Sequence, residues 1–262
     1  MANKSKSVYG LLSIAVFLGL WEIVARLDLV PGRVFFPAFS EVMREFLLLL
    51  RSGLLVQNFS HTLVRVLVGF VTGSLCGLLA GTIMGWRDSV HRTLSPIISL
   101  LYPIPALGWL PLLMLLVGIN EFLPISIIFI CSFFPVCYNT ATGVNNVNPG
   151  YVQAARTLGA SERRILIKII LPLAIPTIMT GLRLESGMAW RVVIAAEMVA
   201  IPTGLGALMM RAESLVRMDM VIVCLMLLSV MCFSFEKCFA YVEAKLTSRW
   251  KEDAVNTASG YL

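Results

Sequence analysis

Six stretches of the chain read as nearly unbroken apolar runs: residues 8–25, 63–84, 97–117, 122–143, 171–199 and 217–240. Each is close to the length, about 20 residues, that a helix needs to cross the hydrocarbon of a bilayer. In that solvent an α-helix satisfies every backbone polar group within its own segment. The pattern therefore predicts an all-α integral membrane protein with about six transmembrane helices, forming one domain over residues 1–262. Polar positions collect between the runs, most of all in the segment 144–168. The first run, preceded by Lys4 and Lys6, also has the outline of a cleavable secretory signal. It is as long as a span and no A-x-A site follows it, so it is read as a span.

Between the first two runs, Phe39, Val42, Met43, Phe46, Leu47 and Leu50 recur at helical spacing, with Ser40 near the start. They predict an amphipathic helix on the outer membrane face. It serves either as part of a docking surface or as a cover over neighbouring spans. A row of glycines, Gly69, Gly73, Gly77, Gly81 and Gly85, runs down one face of the second span at intervals of four. Small residues let two backbones approach closely where no hydrophobic effect drives helices together. Gly69 to Gly81 are thus expected to pack on another helix, within this chain or in a second copy. The third span carries Pro103, Pro105, Gly108 and Pro111, which must interrupt regular helix in mid-membrane. Broken backbone there is tolerated only inside protein or against a watery cavity, so Pro105 and Gly108 are expected either at a plain kink or on a solute pathway.

Composition narrows the class further. Hydrophobic residues make up 58% of the 262 positions and charged ones 14%, against roughly 25% charged in soluble domains. A mean hydropathy of +0.86 leaves too little polar surface for a water-soluble globule. The net charge of +6 informs mainly through its distribution. With the N-terminus inside, twelve Lys and Arg fall in inside segments, six outside, and Arg65, Arg183 and Arg191 within spans. The positive-inside rule then places both termini in the cytoplasm, along with the 144–168 loop and the tail 246–262. Basic character so placed points to lipid headgroups and not to nucleic acid. The six cysteines lie in apolar runs, show no CxxC spacing and have only His61 and His91 as possible co-ligands, so they read as buried small hydrophobes and no metal site is expected.

The fifth span holds Arg183, Glu185, Arg191 and Glu197, and each charge in a span is costly unless paired or facing water. They either pair with one another or with neighbouring helices, or Arg183 or Arg191 faces a pathway and attracts an anion. In the 144–168 loop, Asn148-Pro149-Gly150 opens a short helix and Gly159 closes it. Tyr151, Ala154, Ala155 and Leu158 form its apolar stripe, and Ser161 with Glu162 starts a second helix returning to the membrane. A protruding elbow of this kind suits a protein partner.

Gln153-Ala154-Ala155, then Gly159, Ile169 and Leu171-Pro172 at their spacing, closely resembles the EAA loop of permease subunits of bacterial ABC importers. The resemblance extends over about residues 60–245. Ile104-Pro105 through Gly118, and Ala195-Ala196-Glu197 to Gly204-Leu205-Gly206, are most similar to the branch that takes up nitrate, sulfonates, taurine, bicarbonate and some vitamin precursors. The motif's usual glutamate is here Gln153. The resemblance implies that Gln153 to Gly159 fit a cleft on cytoplasmic ATP-binding subunits, two of them serving a pair of permease copies, with an extracytoplasmic solute-binding protein on the other side. The sequence has no G-x-x-x-x-G-K-[ST] loop. ATP and Mg are therefore expected on the partner, with no cofactor in this chain. No G-x-S-x-G or H-E-x-x-H occurs either, which disfavours a membrane enzyme. An ion-coupled secondary transporter is the alternative, and it leaves the elbow without a role.

Overall fold

The computed structural model describes residues 2–27 and 35–259, with side chains for Tyr9 and for 12–27 and 35–246. The side chains of Lys4, Lys6, Arg33, Arg249 and Lys251, and of the tail beyond 246, lie outside the described residues. In chain order the helices are α1 (Ala2–Arg26), α2 (Phe39–Arg51), α3 (Leu54–Trp86), α4 (Asp88–Leu101), α5 (Leu110–Leu116), α6 (Phe122–Asn145), α7 (Pro149–Thr157), α8 (Glu162–Ile165), α9 (Leu171–Ala200), α10 (Leu205–Ser214) and α11 (Met218–Ser259). A 3₁₀ turn, Ala106–Trp109, precedes α5, and a π turn, Leu166–Ile170, joins α8 to α9. No strand occurs among the described residues.

Among the described residues, four helical stretches are long and apolar enough to cross a membrane: α3, α6, α8 to α9 as one, and α11. A fifth crossing arises if α4 and the 106–116 segment count together, but they meet at 91°. The third run is thus sharply bent. The break is confined to residues 102–105, whereas Pro111 sits in the first turn of α5, where its missing N–H costs nothing. The first run lies inside α1, a 25-residue helix with Leu12, Phe17, Leu20 and Ile23 exposed.

The glycine row of α3 lies along α6. A Cβ added at Gly73 would come within 2.5 Å of the Phe129 carbonyl oxygen, at Gly77 within 2.8 Å of that of Phe133, and at Gly81 within 2.5 Å of that of Cys137. Gly69 and Gly85 meet Ile128 and Val144 just as closely. The two backbones touch over five turns, with room for hydrogen alone.

On the other side α3 meets α9, α10 and α11 around Trp190, which is fully buried. Its indole stacks on Phe59 at 6.4 Å and takes the edge of Phe235 at 5.2 Å. The helix α2 lies across the start of α11 with Val42, Glu45 and Leu49 inward, while Met43, Leu47 and Leu50 are exposed. The buried stripe is therefore rotated from the one read in the sequence. Arg217 pulls Glu45 inward through a 2.6 Å ion pair and also holds Asp219 at 2.7 Å. The hydrogen bond to Asp219, ahead of that to Glu45, raises the guanidinium pKa above its ordinary value. Ala38 is the N-cap of α2, and Glu41 reaches back to its N–H at 3.0 Å, so Ser40 is inside the helix. Of the six cysteines, all free thiols, Cys131, Cys137 and Cys224 are buried, but Cys76 and Cys238 are exposed on the apolar outer surface.

Candidate functional site

The π turn before α9 follows from Leu171-Pro172. Pro172 brings no N–H to the ladder and its ring crowds the carbonyl four residues back, so one turn widens and the helix then runs on regularly. The 30 residues of α9 span about 45 Å, the full thickness of a bilayer with its headgroups. Three candidate features hang on this one helix: the elbow at its start, a cavity at its middle and a buried charge network at its end.

In the elbow, the Asn148 side chain accepts the Gly150 N–H at 2.8 Å and caps α7. At the other end Gly159 has φ +76°, and the N–H groups of Gly159 and Ala160 donate to the carbonyls of Arg156 and Ala155. This double closure requires a left-handed residue at 159. Arg156 grips both oxygens of Glu162 at 3.0 and 3.2 Å and fixes the angle between α7 and α8. Ser161 is the N-cap residue of α8, yet its hydroxyl makes no capping bond; its carbonyl receives Ile165 N–H instead. Tyr151, Gln153, Ala154, Leu158 and Gly159 are exposed, Leu158 at 87%. Ala155 differs from the rest of the stripe: it is buried among Val144, Ile165 and Ala174 and holds the elbow against the membrane helices.

At the bend after α4, a cavity of about 330 Å³ opens between residues 102–106 and the faces of α6 and α9. Pro105 lines it; Gly108 does not, and a Cβ added there would meet Ile104 at an ordinary 3.7 Å. Among the described residues its one charged lining residue is Glu185, whose carboxylate accepts a hydrogen bond from Cys131 Sγ at 3.7 Å. Neither arginine of α9 lines this cavity. Arg183 is paired with Glu243 of α11 at 3.2 Å. Arg191 is exposed, with Nη1 3.6 Å from Sδ of Met188, itself part of the cavity wall.

At the far end of α9, Glu197 is fully buried and pairs with the buried Arg65 of α3 at 2.6 Å. Arg65 also reaches Glu121 at 2.6 Å and both the carbonyl and hydroxyl of Thr203. Glu197 accepts the Gly206 N–H at 3.0 Å and a hydrogen bond from Thr62 Oγ1, which itself accepts the Leu205 N–H at 2.9 Å. The first two N–H groups of α10 are thus satisfied by a hydroxyl and a carboxylate, the arrangement that a helix N-terminus favours. A Cβ at Gly204 (φ +104°) would collide with the Glu197 carboxylate, and one at Gly206 with the Ile194 carbonyl. This is the physical content of Ala195-Ala196-Glu197 and Gly204-Leu205-Gly206. Of the alternatives open to Glu197, the structure thus takes the pairing with a neighbouring helix, and the partner, Arg65, is one that its place in a span does not reveal; the spacing of Gly204 and Gly206 after an acid is the signal in the sequence.

Residues 73–248 match the family described as binding-protein-dependent transport system inner membrane component. The chain belongs to this family. A putative ABC transporter permease of Methanocaldococcus jannaschii is 38% identical over 236 residues, 88% of each chain. The taurine transport system permease protein TauC of Escherichia coli K12 is 32% identical over 90% of this chain and 87% of its own. The nitrate import permease protein NrtB of Synechococcus elongatus is 28% identical over 74% and 72%. Among solved structures, a crystal structure of an amino acid ABC transporter with histidines superposes with a TM-score of 0.63 at 22% identity, over 76% of this chain and 98% of that one. The likeness shows the shared fold. As a member of the ABC importer permeases, the chain is a transport subunit and not an enzyme, embedded in the membrane by several helices and working with ATP-hydrolysing and solute-binding partners.

Proposed function

We propose that two copies of this chain form the membrane pathway of an importer for a small solute with an anionic group, of the taurine, sulfonate, nitrate or bicarbonate kind. Two ATPase subunits, carrying ATP and Mg, dock on the elbow, and an extracytoplasmic binding protein delivers the solute at the opposite face. The termini and the elbow are cytoplasmic. The observation that carries this reading is the continuity of the elbow with α9. Tyr151, Gln153, Ala154 and Leu158 are presented to a partner, Ala155 and Gly159 hold their geometry, and displacement of α7, passed across the short turn 158–161 and the packing of Ala155 on Ile165 of α8, reaches α9 through the π turn in one continuous helix. Alternating access follows: closure of the ATPase pair draws the two elbows together and moves each α9 against the bend at 102–105. Pro105 lines the way through; Gly108 supplies the turn beside it. Arg191, exposed at the cavity rim, attracts and orients the anionic group by forked hydrogen bonds. Arg183, engaged with Glu243, sets the position of α9 on α11 for the same pathway.

Affinity purification of the full chain co-expressed with its ATPase subunits tests the elbow. The native chain is expected to carry the ATPase in equal number, and Leu158→Asp to lose it while keeping its helix content and thermal stability in detergent, since Leu158 touches so little of its own chain. A Leu158→Asp chain that keeps the ATPase and ATP-driven uptake overturns the assignment.

A further inference from the structure

Glu185 is the residue for which neither the fold nor the elbow has a use. It stands mid-membrane on α9, in the wall of the cavity made by the broken span, and the one hydrogen bond the structure gives it comes from the weak donor Cys131. An acid in a span is expensive to keep, and the usual remedy is an ion pair. Arg65 takes that role for Glu197, and Glu243 takes Arg183, while Arg191 is exposed beside Met188 and is not among the residues that line the cavity. The rest of the cavity wall is apolar and aromatic. Tyr102 lies on it, its ring stacked on Tyr138 at 5.2 Å with planes 4° apart, and Phe134 adds a second ring. Such faces carry a negative quadrupole that attracts cations. A carboxylate without a cation among the described residues, aromatic rings and three prolines, Pro103, Pro105 and Pro135, with no N–H of their own to offer an anion together make a cavity for positive charge.

We infer that this cavity is the resting place of an ammonium or other protonated nitrogen on the transported solute, with Glu185 as its counter-charge. The inference rests on the permease reading above and narrows it: the solute is a zwitterion of the aminoalkanesulfonate kind and not a bare oxyanion. Nitrate has no positive end and meets a like charge at Glu185, whereas an amino sulfonate presents its ammonium to Glu185 and its sulfonate to Arg191 at the rim.

The field of the cavity is measurable without knowing the solute. In the chain reconstituted with its ATPase subunits, Met188→Cys puts a thiol on the cavity wall. It is treated with a trimethylammonium and with a sulfonate methanethiosulfonate of equal chain length, and labelling of that cysteine is read by mass spectrometry. After normalisation to a free thiol, the cationic reagent is expected to react at least about tenfold faster than the anionic one. Glu185→Gln should bring the ratio close to one, and Glu185→Asp, which keeps the charge, should restore most of it. Equal rates with Glu185 in place overturn the inference, as does a preference that survives Glu185→Gln or a thiol that neither reagent reaches. A chain that holds its ATPase but shows no preference keeps the permease reading and loses the zwitterion. One that binds no ATPase removes the permease reading itself.

Discussion

Glu197 and Glu185 occupy the same helix 12 positions apart and show how environment assigns a role to one side-chain type. Glu197 is fully enclosed with Arg65, Thr62 and the N-terminus of α10, so each of its two oxygens finds a donor in place of water. Removing one partner of a buried pair strands the other's charge. Glu197→Ala is therefore expected to destabilise the chain by about 3–5 kcal/mol, read as a lower melting temperature in detergent. Arg65→Met with Glu197→Met should recover much of that loss, and a double variant as unstable as the single one would show that the hydrogen bonds to α10, and not the pair, hold this end together. Val216 is a separate case of local strain: a β-branched residue at φ 56°, forced there because Arg217 must turn back to donate its N–H to Ala212 at 2.8 Å and reach Glu45.

Among the elements, the α3–α6 pair is decided by the absence of side chains. Lipid is as apolar as leucine, so helices associate through close packing and not through exclusion from water. Gly77→Leu should cost about 1–3 kcal/mol through overpacking, because the Phe133 carbonyl that it meets is backbone and cannot rotate away. Leu79→Ala, on the exposed face of the same helix, is the control and should change the melting temperature little. Equal losses from both would mean that the glycine row is not the packing face. The row was legible from its spacing of four. The inward face of α2 was not, because its choice between Val42, Glu45, Leu49 and the more apolar Phe39, Met43, Leu50 turns on Arg217, which lies 172 positions beyond Glu45.

For the molecule as a whole, the elbow and α10 stand at opposite ends of α9, about 45 Å apart along the helix. A thiol introduced by Leu158→Cys should therefore react with a membrane-impermeant maleimide only in inverted vesicles, and one introduced by Glu213→Cys only in right-side-out cells. Labelling of Leu158→Cys from the outside would reverse the orientation proposed from the distribution of Lys and Arg.

The helical class, the elbow with its Asn148 cap and Gly159 stop, the bend at Pro103 and Pro105 and the close-packing glycines all follow from local chemistry: the length of an apolar run, a missing N–H, a missing Cβ. The partners across the fold do not. A helix in lipid is apolar on its protein side and its lipid side alike, so no periodicity tells which face turns inward. The meeting of Arg65 with Glu197, the capture of Arg183 by Glu243 and the exposure of Glu185 to a cavity between three segments depend on contacts separated by 132, 60 and 50 or more positions. Only packing brings such groups together, because in hydrocarbon a charge takes whatever counter-charge or cavity the assembled helices place within its reach.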